Sequence, residues 1–165
     1  MNALARFHDA ATRAGFALGA ACIAGMAALY AFEVAMRYVF GAPTRWTADF
    51  VVYLMCVSVF LCLPEVTRTA GHVAILSFVD RLQGRARRLA GQAIAAVSAL
   101  ATGAAGWIAA DEALRQFAMG IQTLAAVPIP RWWLAAAIAY GFLGSALHLV
   151  RQAVAPPGRF GVEHG

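Results

Sequence analysis

Few residues in this chain could do chemistry, and they lie far apart. His72 and His148 could ligate a haem iron, since neutral imidazole is a good axial ligand. A haem or quinone held by that pair would make the chain the membrane anchor of an oxidoreductase. Both histidines fall at the same edge of the apolar segments, and neither is framed by other ligand-like residues. Cys22, Cys56 and Cys62 are odd in number, lack CxxC spacing and lie inside apolar runs, so they read as small packing residues rather than a disulfide or metal framework. There is no HExxH, no Gly-rich phosphate loop, no nucleophile elbow, and no pair of carboxylates at the centre of an apolar run. The expectation is therefore no catalytic residue, no substrate-binding residue, no metal and no cofactor: the chain is not an enzyme.

The charges that remain sit near the ends of apolar runs. Glu33 and Arg37 are four residues apart, the spacing at which a carboxylate and a guanidinium pair on one helix. Asp49 follows Trp46 by three residues, at the mouth of the next apolar run. Such residues serve either as interface anchors or as contacts with a partner. Arg37, Trp46 and Asp49 are expected to form one polar and aromatic cluster beside Trp132 and Trp133.

The elements that must position these residues are membrane spans. Hydrophobic residues make up 62% of the chain and charged residues 13%, with a mean hydropathy of +0.69; a soluble domain carries about 25% charge. The length of 165 residues accommodates roughly four spans of about 20 residues each, with short links. They are expected at about 14–38, 47–67, 89–110 and 132–151, in one all-α membrane domain over 1–155 with a flexible tail at 156–165. The first apolar run is longer than the roughly 7–15 residues of a secretory signal, so it reads as a retained helix. In the second, Pro64 loosens the last turn.

Positive residues are retained on the cytoplasmic side of a membrane. Nine of the 13 arginines fall in the N-terminal tail, the middle link and the C-terminal tail; Arg37, Arg45, Arg115 and Arg131 fall in the other two links. This bias puts both termini in the cytoplasm. Trp46, Trp107, Trp132 and Trp133 all fall near the opposite face, at the headgroup level that tryptophan prefers. The basic balance, with a pI near 9.7, therefore reads as a signature of anionic phospholipid and not of nucleic acid. In the middle link Ile75, Phe78, Val79 and Leu82 recur on one helical face, which predicts a short amphipathic helix in the cytoplasmic interface, bracing the second and third spans.

Inside lipid, helices associate through close approach of small residues. Gly15 and Gly19 on the first span, Gly103 and Gly106 on the third, and Ala137, Gly141 and Ser145 on the fourth mark candidate packing faces.

Taken in order, several of these residues resemble a known family. Arg37-Tyr38-Val39-Phe40, Pro43, Trp46 with an acid at Asp49, Arg68 with Gly71-His72-Val73, and Pro128-Ile129-Pro130-Arg131-Trp132-Trp133 together resemble the small membrane subunit, DctQ type, of tripartite ATP-independent periplasmic (TRAP) transporters. The resemblance runs from about Arg6 to Arg151. It departs from the family pattern at Asp49, where Glu is usual, at Cys62, where Gly is common and close packing is at issue, and at Ala139, where Pro is frequent. It implies a multi-pass protein of the bacterial inner membrane that partners a large DctM-type membrane subunit and a periplasmic substrate-binding protein. The small subunit would enlarge the fixed scaffold for sodium-coupled uptake of a small organic anion such as a carboxylate. Glu33, Arg37, Tyr38, Trp46, Asp49, Arg68, His72, Pro130, Trp132 and Trp133 would then serve the partner interface or membrane anchoring.

Overall fold

The computed structural model describes residues 3–69 and 84–154. Among them the chain is helical: α1 (Ala3–Val39), α2 (Thr47–Thr69), α3 (Gly84–Met119) and α4 (Trp132–Val154), with no strand beyond one isolated bridge between Gln122 and Pro130. All four helices are long and apolar enough to cross a membrane. The amphipathic segment at 75–82, His72 and the tail at 156–165 lie outside the described residues.

Local chemistry sets the helix ends. Gly41 (φ 61°) and Gly120 (φ 64°) adopt the left-handed conformation just past α1 and α3. After α3 the Gly120 and Ile121 N–H groups return to the Phe117 and Gln116 carbonyls, 3.2 Å each, the Schellman closure that glycine permits. Asp49 occupies the first turn of α2 and Arg68 its last, matching the helix dipole. Helix α3 does not stop near Ala110. It continues through Glu112, Arg115 and Gln116, whose side chains are joined by Arg115 Nε to Glu112 (2.9 Å) and Gln116 Nε2 to Glu112 (2.8 Å), so the polar turns support their own helix. Trp107 therefore lies 12 residues, about 18 Å, before the helix end at Met119.

The broad contacts among the described helices run in the order α1–α2–α4–α3, a row in which α1 also touches α4 near its first turns. Helix α4 is the most covered, with Ala135, Ala139, Gly141, Ser145, Ala146, His148 and Leu149 buried. The α2–α4 contact explains how Pro64 is tolerated inside α2. Proline has no N–H to give the Phe60 carbonyl four residues back, and that carbonyl faces α4 at Gly141, where an added Cβ would stand 2.6 Å from it. Pro64 itself packs on Gly144. A helix broken at one hydrogen bond is thus held by close backbone approach, and α2 runs on to Thr69.

Of the small residues expected to pack, Gly15 faces α2 and α4, Gly19 faces α2, Gly103 meets Ala146, Gly106 meets Leu143, and Gly141 and Ser145 face α2. Ala137 is half-buried. Cys62 does not loosen its contact. Its Sγ lies where a Cβ on Gly19 would come within 2.5 Å, so a larger residue on α2 meets the smallest one on α1.

Candidate functional site

Polar side chains gather at the two ends of the row. The link end carries residues 40–46 and 120–131. There Glu33, only 8% exposed, accepts hydrogen bonds from Arg37 (3.0 Å), the Thr44 backbone N–H (3.0 Å) and the Thr44 hydroxyl, which also meets the Thr47 hydroxyl. The pairing with Arg37 follows from helical spacing. The capture of Thr44, eleven residues on, does not: it folds the α1–α2 link back onto α1. Thr47, fully buried, closes this network at the start of α2. Arg37 and Tyr38 project outward; the Arg37 side chain is 59% exposed.

The second link is tied to α2. Asp49 accepts a hydrogen bond from the Ala126 N–H (2.8 Å), and the Tyr53 hydroxyl donates to Thr123 Oγ1 (2.8 Å). Thr123 in turn exchanges bonds with Ile129, and Arg131 N–H reaches the Ile121 carbonyl (3.0 Å), so residues 121–131 form a small looped hairpin closed near Pro130. The aromatic residues do not form a single cluster. Phe32, Trp46, Phe50 and Tyr53 make one chain of rings with centroids 5.7–6.2 Å apart, and Phe117, Trp132 and Trp133 make another at 5.4–5.8 Å. They sit at the starts of α2 and α4 on different neighbours, so the polar ties at Asp49 and Tyr53 join the two halves.

The terminal end was not foreseen. Thr12 Oγ1, fully buried, donates to the His8 carbonyl (2.9 Å) and stands 3.1 Å from His148 Nε2. The His8 and His148 rings lie with centroids 4.2 Å apart, tilted by 40°. Arg151 pairs with Asp9 at 2.6 Å, and the Tyr140 hydroxyl donates to the Ala11 carbonyl (3.1 Å). On the α2 side, Thr67 Oγ1 meets Ser145 (3.2 Å) and Gln152 Nε2 donates to the Thr67 carbonyl (3.2 Å), while Arg68 is drawn onto Glu65 three residues back. Of these side-chain pairs only the last lies within a single helical turn. His8 lies 140 residues from His148 and Asp9 lies 142 from Arg151, beyond the reach of any periodicity.

Haem ligation through His148 would have to displace its neighbours: the residue is 3% exposed, and Thr12 and His8 lie against its ring. At the link end a shallow cleft between α2, α3 and α4 is lined by Cys56, Ile108, Ala109, Gln116, Leu134 and Ile138. Cys22, Cys56 and Cys62 are free thiols.

No curated protein and no solved structure matches this chain. A family model does, over residues 26–156: the DctQ component of tripartite ATP-independent periplasmic transporters. That span takes in both links, three of the four helices whole and the last fourteen residues of α1, and on this evidence the chain belongs to the DctQ family, the small membrane component of TRAP transporters.

Proposed function

We propose that this chain is the non-catalytic small permease subunit that scaffolds a DctM-type large subunit, in sodium-coupled, binding-protein-dependent uptake of a small organic anion such as a carboxylate. The observation that carries the reading is the order of packing. Among the described residues the broad helix contacts run in a row, α1–α2–α4–α3, and do not close a ring, whereas a transport pathway needs polar groups lining a protected cavity. A row is a wall, and a wall suits the role of extending a larger subunit's fixed part.

The charges support the same role. Glu33, Glu65 and Glu112 each hold an arginine three or four residues on, and Asp9 holds Arg151. These acids are engaged at helix ends and are not presented to sodium or to an anionic substrate. The apolar side chains of Phe16, Leu18, Ile23, Tyr30 and Val34 on α1 and of Val97, Leu100, Trp107 and Ile108 on α3 remain exposed, available to lipid and to the large subunit.

Orientation follows the arginine bias, with both termini cytoplasmic in the bacterial inner membrane. Reporters active only outside the cytoplasm are expected to work when fused after Ala42 or Gln122, and to be silent after Gln83 or at the C-terminus. Co-expressed with the large subunit, the chain is expected to co-purify with it at one to one; its purification without that partner would overturn the reading.

A further inference from the structure

We propose that His8, Asp9 and His148 form a binding site for a divalent transition metal of the zinc class, clamping the first turns of α1 to the last turns of α4. Among the described residues these three bring one ligand-capable atom each to within 4.8 Å of one another. Around a tetrahedral zinc with bonds of about 2.1 Å, neighbouring ligand atoms lie about 3.4 Å apart, so side-chain rotations close the set without moving either helix.

Hydrogen bonding leaves the required lone pairs free. The Thr12 hydroxyl has one proton, and it goes to the His8 carbonyl. The contact between Thr12 Oγ1 and His148 Nε2 must then be made with the histidine as donor, which fixes the neutral Nε2–H tautomer and leaves Nδ1 with its lone pair. Thr12 thus plays the part of an outer partner that sets a ligand's tautomer. His8 Nδ1 is buried with no hydrogen-bond partner, an unusual state for a buried polar atom that coordination would relieve. Asp9 Oδ1 accepts from Arg151, which leaves Oδ2 for an ion. Two imidazoles and a carboxylate suit Zn²⁺, with water completing the shell. Arg151 opposes the charge of the ion and moderates affinity, so the site is expected to exchange its metal, not to hold it permanently.

The clamp acts where the first and last helices meet. At this end α1 and α4 meet through long side chains, namely Tyr140 on Ala11, His148 on Thr12 and Arg151 on Asp9. The test uses the 165-residue chain in nanodiscs, with any affinity tag removed, titrated with Co²⁺ as a spectroscopic probe and with Zn²⁺ in competition. Wild type is expected to bind one Co²⁺ per chain with the strong visible absorption of a tetrahedral site, displaced by Zn²⁺. His8→Ala and Asp9→Asn should each weaken binding at least tenfold, and Thr12→Val about tenfold, with helical circular dichroism unchanged. His72→Ala and His164→Ala should leave it intact. Absence of binding by wild type, binding undiminished in His8→Ala and Asp9→Asn, or equal loss in the two control variants would overturn the proposal.

Discussion

The two ends of this helix row are held together in different ways. At the link end, short polar side chains satisfy backbone: Glu33 takes the Thr44 N–H, Asp49 the Ala126 N–H, and Thr123 the Ile129 N–H. At the terminal end, side chains from different helices meet one another or a distant carbonyl, as in Thr12 with His148, Asp9 with Arg151, Thr67 with Ser145 and Tyr140 with Ala11. The difference has a physical cause. Non-helical backbone near a membrane must have its N–H and C=O groups satisfied by protein or water, and the two described links both fall at one end. The terminal end carries helix termini, so its polar groups are free to tie helix to helix.

That contrast predicts which substitutions disturb which part. The largest effect belongs to the spine shared by both ends. Gly141→Leu drives a side chain into the Phe60 carbonyl, a backbone atom that cannot rotate away, and should lower stability by about 3 kcal/mol, read as thermal unfolding in detergent. Next is Glu33→Ala, which strands the half-buried Thr44 and the buried Thr47; its thermal midpoint should fall below that of any other link-end variant, with Glu33→Gln recovering part of the loss because one oxygen acceptor remains. Asp49→Asn keeps an acceptor for Ala126 and should lose about 1 kcal/mol. Uptake unchanged in that variant would assign Asp49 to anchoring, and uptake depressed at normal co-purification yield would assign it to contact with a partner. The smallest effect is expected at the terminal end, where Tyr140→Phe deletes one interhelical hydrogen bond worth about 0.6 kcal/mol in a membrane. A loss from Tyr140→Phe exceeding that from Asp49→Asn would reverse the ranking.

The same contrast explains what the sequence could reveal. Apolar runs long enough to span lipid, the Glu33–Arg37 spacing and the glycine pairs are local signals, and helices, an ion pair and close contacts stand where they point. The extent of α3 was not legible, because Glu112, Arg115 and Gln116 look like the end of a span but satisfy each other along the helix. Thr44 and Thr47 carry no periodic pattern, since their role depends on a turn geometry set by Pro43 and Gly41. His8 and Asp9 stand in the basic stretch ahead of the first apolar run, and only the α1–α2–α4 packing order brings them against His148 and Arg151. Cys62 shows the same limit. Its fit depends on which residue opposes it, and Gly19 is 43 positions away.

The central claim is that the chain is a wall for another subunit and moves nothing by itself. The most direct measurement is sodium-driven uptake into vesicles holding this chain alone, the DctM-type subunit alone, or both, each with the binding protein loaded with its anion outside. The account predicts uptake only where both membrane subunits are present. Accumulation in vesicles holding this chain alone, or an undiminished rate in vesicles holding only the large subunit, would contradict it.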